Sequence, residues 1–99
     1  MPIRRRTASK NIFRDLGFEP AEAENLLARS DLMIRLTKVI ESRGLSQQAA
    51  AKLMHVTQPR ISDLIRGMID RFSIDSLVEM LGHLDITVHF VLRQRNKVA

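Results

Sequence analysis

The chain has no cysteine, tryptophan or tyrosine, and four phenylalanines are all it holds of the large aromatic types. Without cysteine there can be no disulfide framework, thiolate metal ligand or thiol nucleophile. So few aromatics leave little on which to stack unpaired bases, which speaks against an RNA-binding module. No run of 18 apolar residues occurs, and no charged-then-apolar leader opens the sequence. A soluble, cytoplasmic protein without a membrane association is therefore expected. Repeats, low-complexity tracts and Gly-rich linkers are also missing from the 99 residues. One small domain is expected, and a domain of that size leaves enough surface wet for a partner subunit to help it.

What is present is positive charge: sixteen Lys and Arg against eleven Asp and Glu, for a net +5. That balance favours an anionic partner, nucleic acid first, although many small basic domains bind none. Its distribution says more. Arg4, Arg5, Arg6 and Lys10 lie at one end and Arg93, Arg95 and Lys97 at the other. Both ends read as basic arms, able to reach phosphates or simply solvated. Lys52, Arg60, Arg66 and Arg71 share the middle of the chain with Asp63 and Asp70.

The periodicity is helical until near the end. Pro20 suits a first helical turn, Ala21 to Arg43 contains no Gly or Pro, and Gly44 follows. Leu26, Met33, Leu36, Thr37 and Ile40 recur on one face, with a break at Ser30-Asp31 left open. Ser46 caps a short Ala-rich helix to Met54, and Thr57 caps a second, from Gln58 to Arg66, with Gly67 beyond it. Ser73 caps a fourth, whose buried stripe is Leu77, Met80, Leu81 and Leu84. From Ile86 the period becomes two: Ile86, Val88, Phe90 and Leu92 alternate with Thr87, His89 and Val91, which predicts a strand.

The pair of short helices is the informative unit. Ala49, Ala50 and Ala51 allow two helices to cross closely after the tight turn His55-Val56-Thr57. On the second helix Ile61, Leu64 and Ile65 share one face, with Val56 packing inward beside it. Pro59, Ser62, Asp63 and Arg66 share the other, flanked by Gln58 and Arg60. A polar helix face with two guanidinium groups, fixed from behind, suits a DNA major groove, although any small bundle can carry a polar surface.

The segment "LSQQAAAKLMHVTQPRISDLIRG", Leu45 to Gly67, resembles the helix-turn-helix of Cro/cI-type, or XRE, transcriptional regulators. With "NIFRDLGF" before it and "DRFSIDSLVEMLGHLDITVHFVLR" after it, about four fifths of the chain is similar to their HigA-like antitoxin subgroup. The resemblance implies a mainly α fold, a lambda-repressor-like bundle of about five helices, here with a C-terminal β-strand. It also implies that Gln47 touches phosphate and that Thr57, Gln58, Arg60 and Asp63 read bases or brace the reading helix. The chemistry agrees: Gln58 can bond an adenine edge or a phosphate, Arg60 can grip guanine bidentately, and Asp63 can accept from cytosine. Ser62 shares the exposed face, and Arg66 and Arg71 suit phosphates. Thr57 can equally serve only as a cap, and Arg60 and Asp63, three apart, can pair with each other. His55 stands where the family usually has Gly, in a turn that tends to be left-handed.

A lone strand has no ladder partner within the chain, since Ile12-Phe13 is short and interrupted by charge. Pairing of Ile86 to Leu92 with a second copy, burying Ile86, Val88, Phe90 and Leu92, is expected, so a homodimer is expected too. Residues 1–18 read as an arm and a packing segment, 19–84 as the helical domain with its helix-turn-helix at 46–66, and 85–99 as strand and tail. The resemblance implies a repressor that binds an inverted repeat in duplex DNA at its own promoter and neutralises a small basic ribonuclease toxin. Glu19, Glu22 and Glu24, near Phe13, Leu16 and Phe18, would suit such a toxin, or merely offset a helix dipole. A stand-alone XRE-type repressor and a protein–protein adaptor are the alternatives. His83 and His89 are not spaced as a metal pair and no nucleophile–base set emerges, so no metal, cofactor or enzymatic activity is expected.

Overall fold

A computed structural model describes residues 11–94. Five α-helices follow one another: α1 (Ile12–Asp15), α2 (Pro20–Ser42), α3 (Gln47–Met54), α4 (Gln58–Ile65) and α5 (Ile74–Gly82), with a 3-10 turn at Ile69–Arg71. Every α-helix starts on a side chain that accepts from its own first turn, satisfying a backbone N–H that would otherwise be orphaned. The acceptors are Asn11, Glu19, Ser46, Thr57 and Ser73, and Ser73 forms a reciprocal capping box with Ser76. The break left open at Ser30-Asp31 is absent: α2 runs unbroken for 23 residues.

The helix ends repeat one device. Gly17, Gly44, His55, Gly67 and Asp85 all have positive φ, and each closes the helix before it. In each case the next N–H donates to the carbonyl five residues back, as Val56 does to Ala51 at 3.0 Å and Met68 to Asp63 at 3.0 Å. This is the Schellman closure that usually takes glycine. His55 (φ 60°, ψ 40°) and Asp85 (φ 64°) are the two that adopt it with a side chain. The left-handed turn expected at His55 is therefore present, and the one at Asp85 gave no advance signal.

The core lies where α2 meets the other helices. Met33, Leu36 and Ile40 of α2 pack with Ala50, Ala51 and Met54 of α3, Ile61 and Leu64 of α4, Phe72, and Leu77, Met80, Leu81 and Leu84. All are buried, so the apolar stripes read from helical spacing are the ones that meet. Ile65 departs from this. It lies half-exposed in the last turn of α4, along a shallow groove with Phe13 and Ile34. The α1 segment packs on α2 through Asn11, whose amide donates to the Ala23 carbonyl at 3.1 Å.

The C-terminal strand is a correction: among the described residues there is no β-strand. From Thr87 onward the backbone makes no backbone hydrogen bond to another described residue. Ile86 and Val88 pack against the core, whereas Phe90, Val91 and Leu92 are 61%, 78% and 92% exposed. Alternation of period two marks a segment with one apolar side, but a strand also needs a ladder partner. The one other candidate, Ile12-Phe13, is committed to α1. The basic arms fall at Arg4, Arg5, Arg6, Lys10, Arg95 and Lys97, outside the described residues; Arg93 is exposed.

Candidate nucleic-acid interface

α3 and α4 are two short helices joined by three residues, each with its own start signal. The Ser46 hydroxyl accepts from the Ala49 N–H at 3.0 Å, and the Thr57 hydroxyl accepts from the Arg60 N–H at 3.3 Å. Pro59 sits in the first turn of α4, where no intrahelical donor is needed. Between the helices, the left-handed residue His55 reverses the chain so that Ala50 and Ala51 are buried behind α4. Ile61 and Leu64 then hold α4 against the core from one side.

The other side is polar. Gln58 and Pro59 are exposed and Ser62 is half-exposed, and Arg66 keeps 63% of its side chain in solvent. Gln47, half-buried, opens α3. The remaining charged residues engage one another. Asp63 accepts from the Arg71 guanidinium at 3.1 Å and lies 3.9 Å from that of Arg66, so it pairs with those two and not with Arg60. Arg60 instead engages the segment that follows α4. Its guanidinium carbon stands 4.3 Å from the centroid of the Phe72 ring, and it donates to the Arg71 carbonyl at 2.7 Å.

The structure thus gathers Thr57, Arg60, Asp63, Arg66 and Arg71 into one connected set and leaves Gln58 and Ser62 on the open face beside it. Ile86, Val88, Phe90 and Leu92 belong to a separate segment. Three further residues bear on the site. Arg29, on α2, donates to the Ile69 carbonyl at 3.2 Å and the Phe72 carbonyl at 3.3 Å, bracing the turn after α4. Its bond to Asn25, four residues before it, is a sequence-visible pair, but a partner 40 residues away is not. Phe72 supplies the ring under Arg60. His83, at the end of α5, faces His55, which only the folded chain brings about. Among the described residues no three His, Cys, Asp or Glu side chains converge to hold a metal ion.

Electrostatically, α4 and the following turn carry Arg60, Arg66 and Arg71 against Asp63 and Asp70, a surplus of one positive charge, with Lys52 exposed on α3. Such a surface can bind duplex phosphates while the open helix face meets base edges. A family model described as a helix-turn-helix domain matches residues 12–93. No curated protein matches the chain. No described helix is long and apolar enough to cross a membrane.

Proposed function

The chain belongs to the helix-turn-helix domain family, and from that premise we propose a dimeric, sequence-specific DNA-binding repressor of the XRE type that serves as an antitoxin. The observation that carries DNA reading is the setting of α4. It is capped at Thr57, closed at Gly67, seated through Ile61 and Leu64, and open on the face of Gln58, Pro59, Ser62 and Arg66. A helix held from behind and polar in front meets the requirement for entering a major groove. Gln58 and Ser62 supply base-edge donors and acceptors, while Gln47, Arg66 and Arg71 serve phosphates.

Two copies associate through the C-terminal segment, where Phe90, Val91 and Leu92 expose more apolar side chain than any other three neighbours in the described chain. Two reading helices then face an inverted repeat with half-sites about 34 Å apart. The antitoxin role is supported by the HigA-like resemblance and by the α1 end of the molecule. There Ile12, Leu16 and Phe18 are exposed, as are Asp15, Glu19 and Glu22, with Arg14 the one cation in the stretch, so the segment is apolar and on balance acidic, which suits a small basic ribonuclease. The protein would act in the cytoplasm on its own promoter.

A mobility shift on the DNA upstream of the protein's own reading frame tests the repressor; affinity no greater than for random duplex would defeat it. Co-expression with the adjacent reading frame tests the antitoxin, through a stable complex and suppressed ribonuclease activity.

A further inference from the structure

Arg60 lies on the reading helix with a side chain well suited to guanine, yet its guanidinium is already employed. It covers the Phe72 ring at 4.3 Å and donates to the Arg71 carbonyl at 2.7 Å. Both partners are themselves held. Phe72 is 3% exposed and its carbonyl accepts from Arg29, while the Arg71 side chain reaches back to Asp63. Two links therefore join α4 to the turn that follows it: Arg60 onto Phe72 and Arg71, and Arg71 onto Asp63. We propose that Arg60 is a positioning residue, setting the angle at which α4 is presented, and that base edges are read by Gln58 and Ser62. The proposal rests on the DNA-binding reading above.

A contact with guanine would require the guanidinium to leave both partners, uncovering the Phe72 ring and taking a donor from the Arg71 carbonyl. What is given up, a cation–π contact and a charged hydrogen bond, is of the same order as one bidentate base contact. The exchange gives little gain. Gln58 and Ser62 make no side-chain hydrogen bond to another described residue, so turning them toward a duplex breaks no such bond.

The test is selection from a randomised duplex pool with the full-length wild type, then affinity for the selected site and for each of its single-base variants. Wild type, Arg60→Ala, Phe72→Leu and the double variant are compared at a temperature where thermal unfolding shows each to be folded. Lost affinity then reports presentation, not lost protein. Arg60→Ala should weaken the selected site and all its variants by one common factor, roughly three- to tenfold. Phe72→Leu, whose buried side chain cannot reach a duplex, should reproduce that uniform loss, and the double variant should be no weaker than the worse single one. Gln58→Ala should flatten preference at one base pair. The proposal is overturned if Arg60→Ala flattens preference at one position while Phe72→Leu changes neither profile nor affinity. Should Phe72→Leu not fold, the Arg60→Ala profile decides alone. A wild type that selects no site removes the DNA-binding reading, and this proposal with it.

Discussion

The imidazoles of His55 and His83 lie with centroids 4.5 Å apart and planes inclined by 34°, joining the turn between α3 and α4 to the end of α5. His55 thus combines a left-handed backbone, which strains a side-chain-bearing residue by roughly 1–2 kcal/mol, with a contact that offsets part of the strain. Asp85 has the same positive φ and its side chain makes no hydrogen bond or ion pair with another described residue, and its charge sits at a helix C-terminus, where an anion is unfavourable. Asp85→Gly should therefore stabilise the fold by about 0.5–1 kcal/mol, a rise of roughly 2–8 °C in Tm for a domain this small. His55→Gly should gain less, because it also loses the His83 ring. Thermal unfolding of the two variants that ranked them the other way would contradict this.

Thr57 closes the first turn of α4 with one hydrogen bond. Thr57→Ala should lower stability by about 1 kcal/mol, and Thr57→Ser should restore most of it. Urea denaturation followed by circular dichroism measures both. Equal losses in the two variants would mean that the methyl group, not the hydroxyl, matters.

Arg66 is mostly solvated, and its 3.9 Å approach to Asp63 contributes little to stability. Arg66→Ala should leave Tm within about 4 °C of wild type, as expected of a surface change. It should weaken binding to all duplexes alike and reduce the salt slope of log K by about one. Titrations at several salt concentrations read this, and an unchanged slope would remove Arg66 from the phosphate contacts.

The exposed residues of the C-terminal segment make association testable without DNA. Phe90→Ser combined with Leu92→Ser should convert a dimer to a monomer in sedimentation at micromolar protein, with the helical signal retained. Neither side chain belongs to the core of its own chain, so a loss of helix content would be unexpected.

Most of the frame is legible in the residues. Ser46, Thr57 and Ser73 announce their helices because an N-cap is a local interaction of a few residues. Gly44 and Gly67 announce the ends for the same reason. The strand failed because alternation describes one face of a segment, while ladder formation depends on what lies alongside. The site was legible by position but not by engagement. That Gln58, Arg60, Ser62 and Asp63 share a helix follows from spacing alone. That Arg60 would bypass Asp63, three residues on, for the ring of Phe72 depends on how the turn after α4 folds back, and Arg29 sets that turn from far away in sequence.

The division of labour along α4 bears on how such a regulator changes its target. Ile61, Leu64, Thr57 and Asp63 hold the helix, whereas Gln58 and Ser62 hold nothing. If these two side chains read the bases as proposed, substitutions at the latter pair should alter which duplex is preferred with little folding penalty to be compensated elsewhere. Descendants of one such gene can therefore part company in their operators through one or two codons, while the scaffold they inherit stays the same.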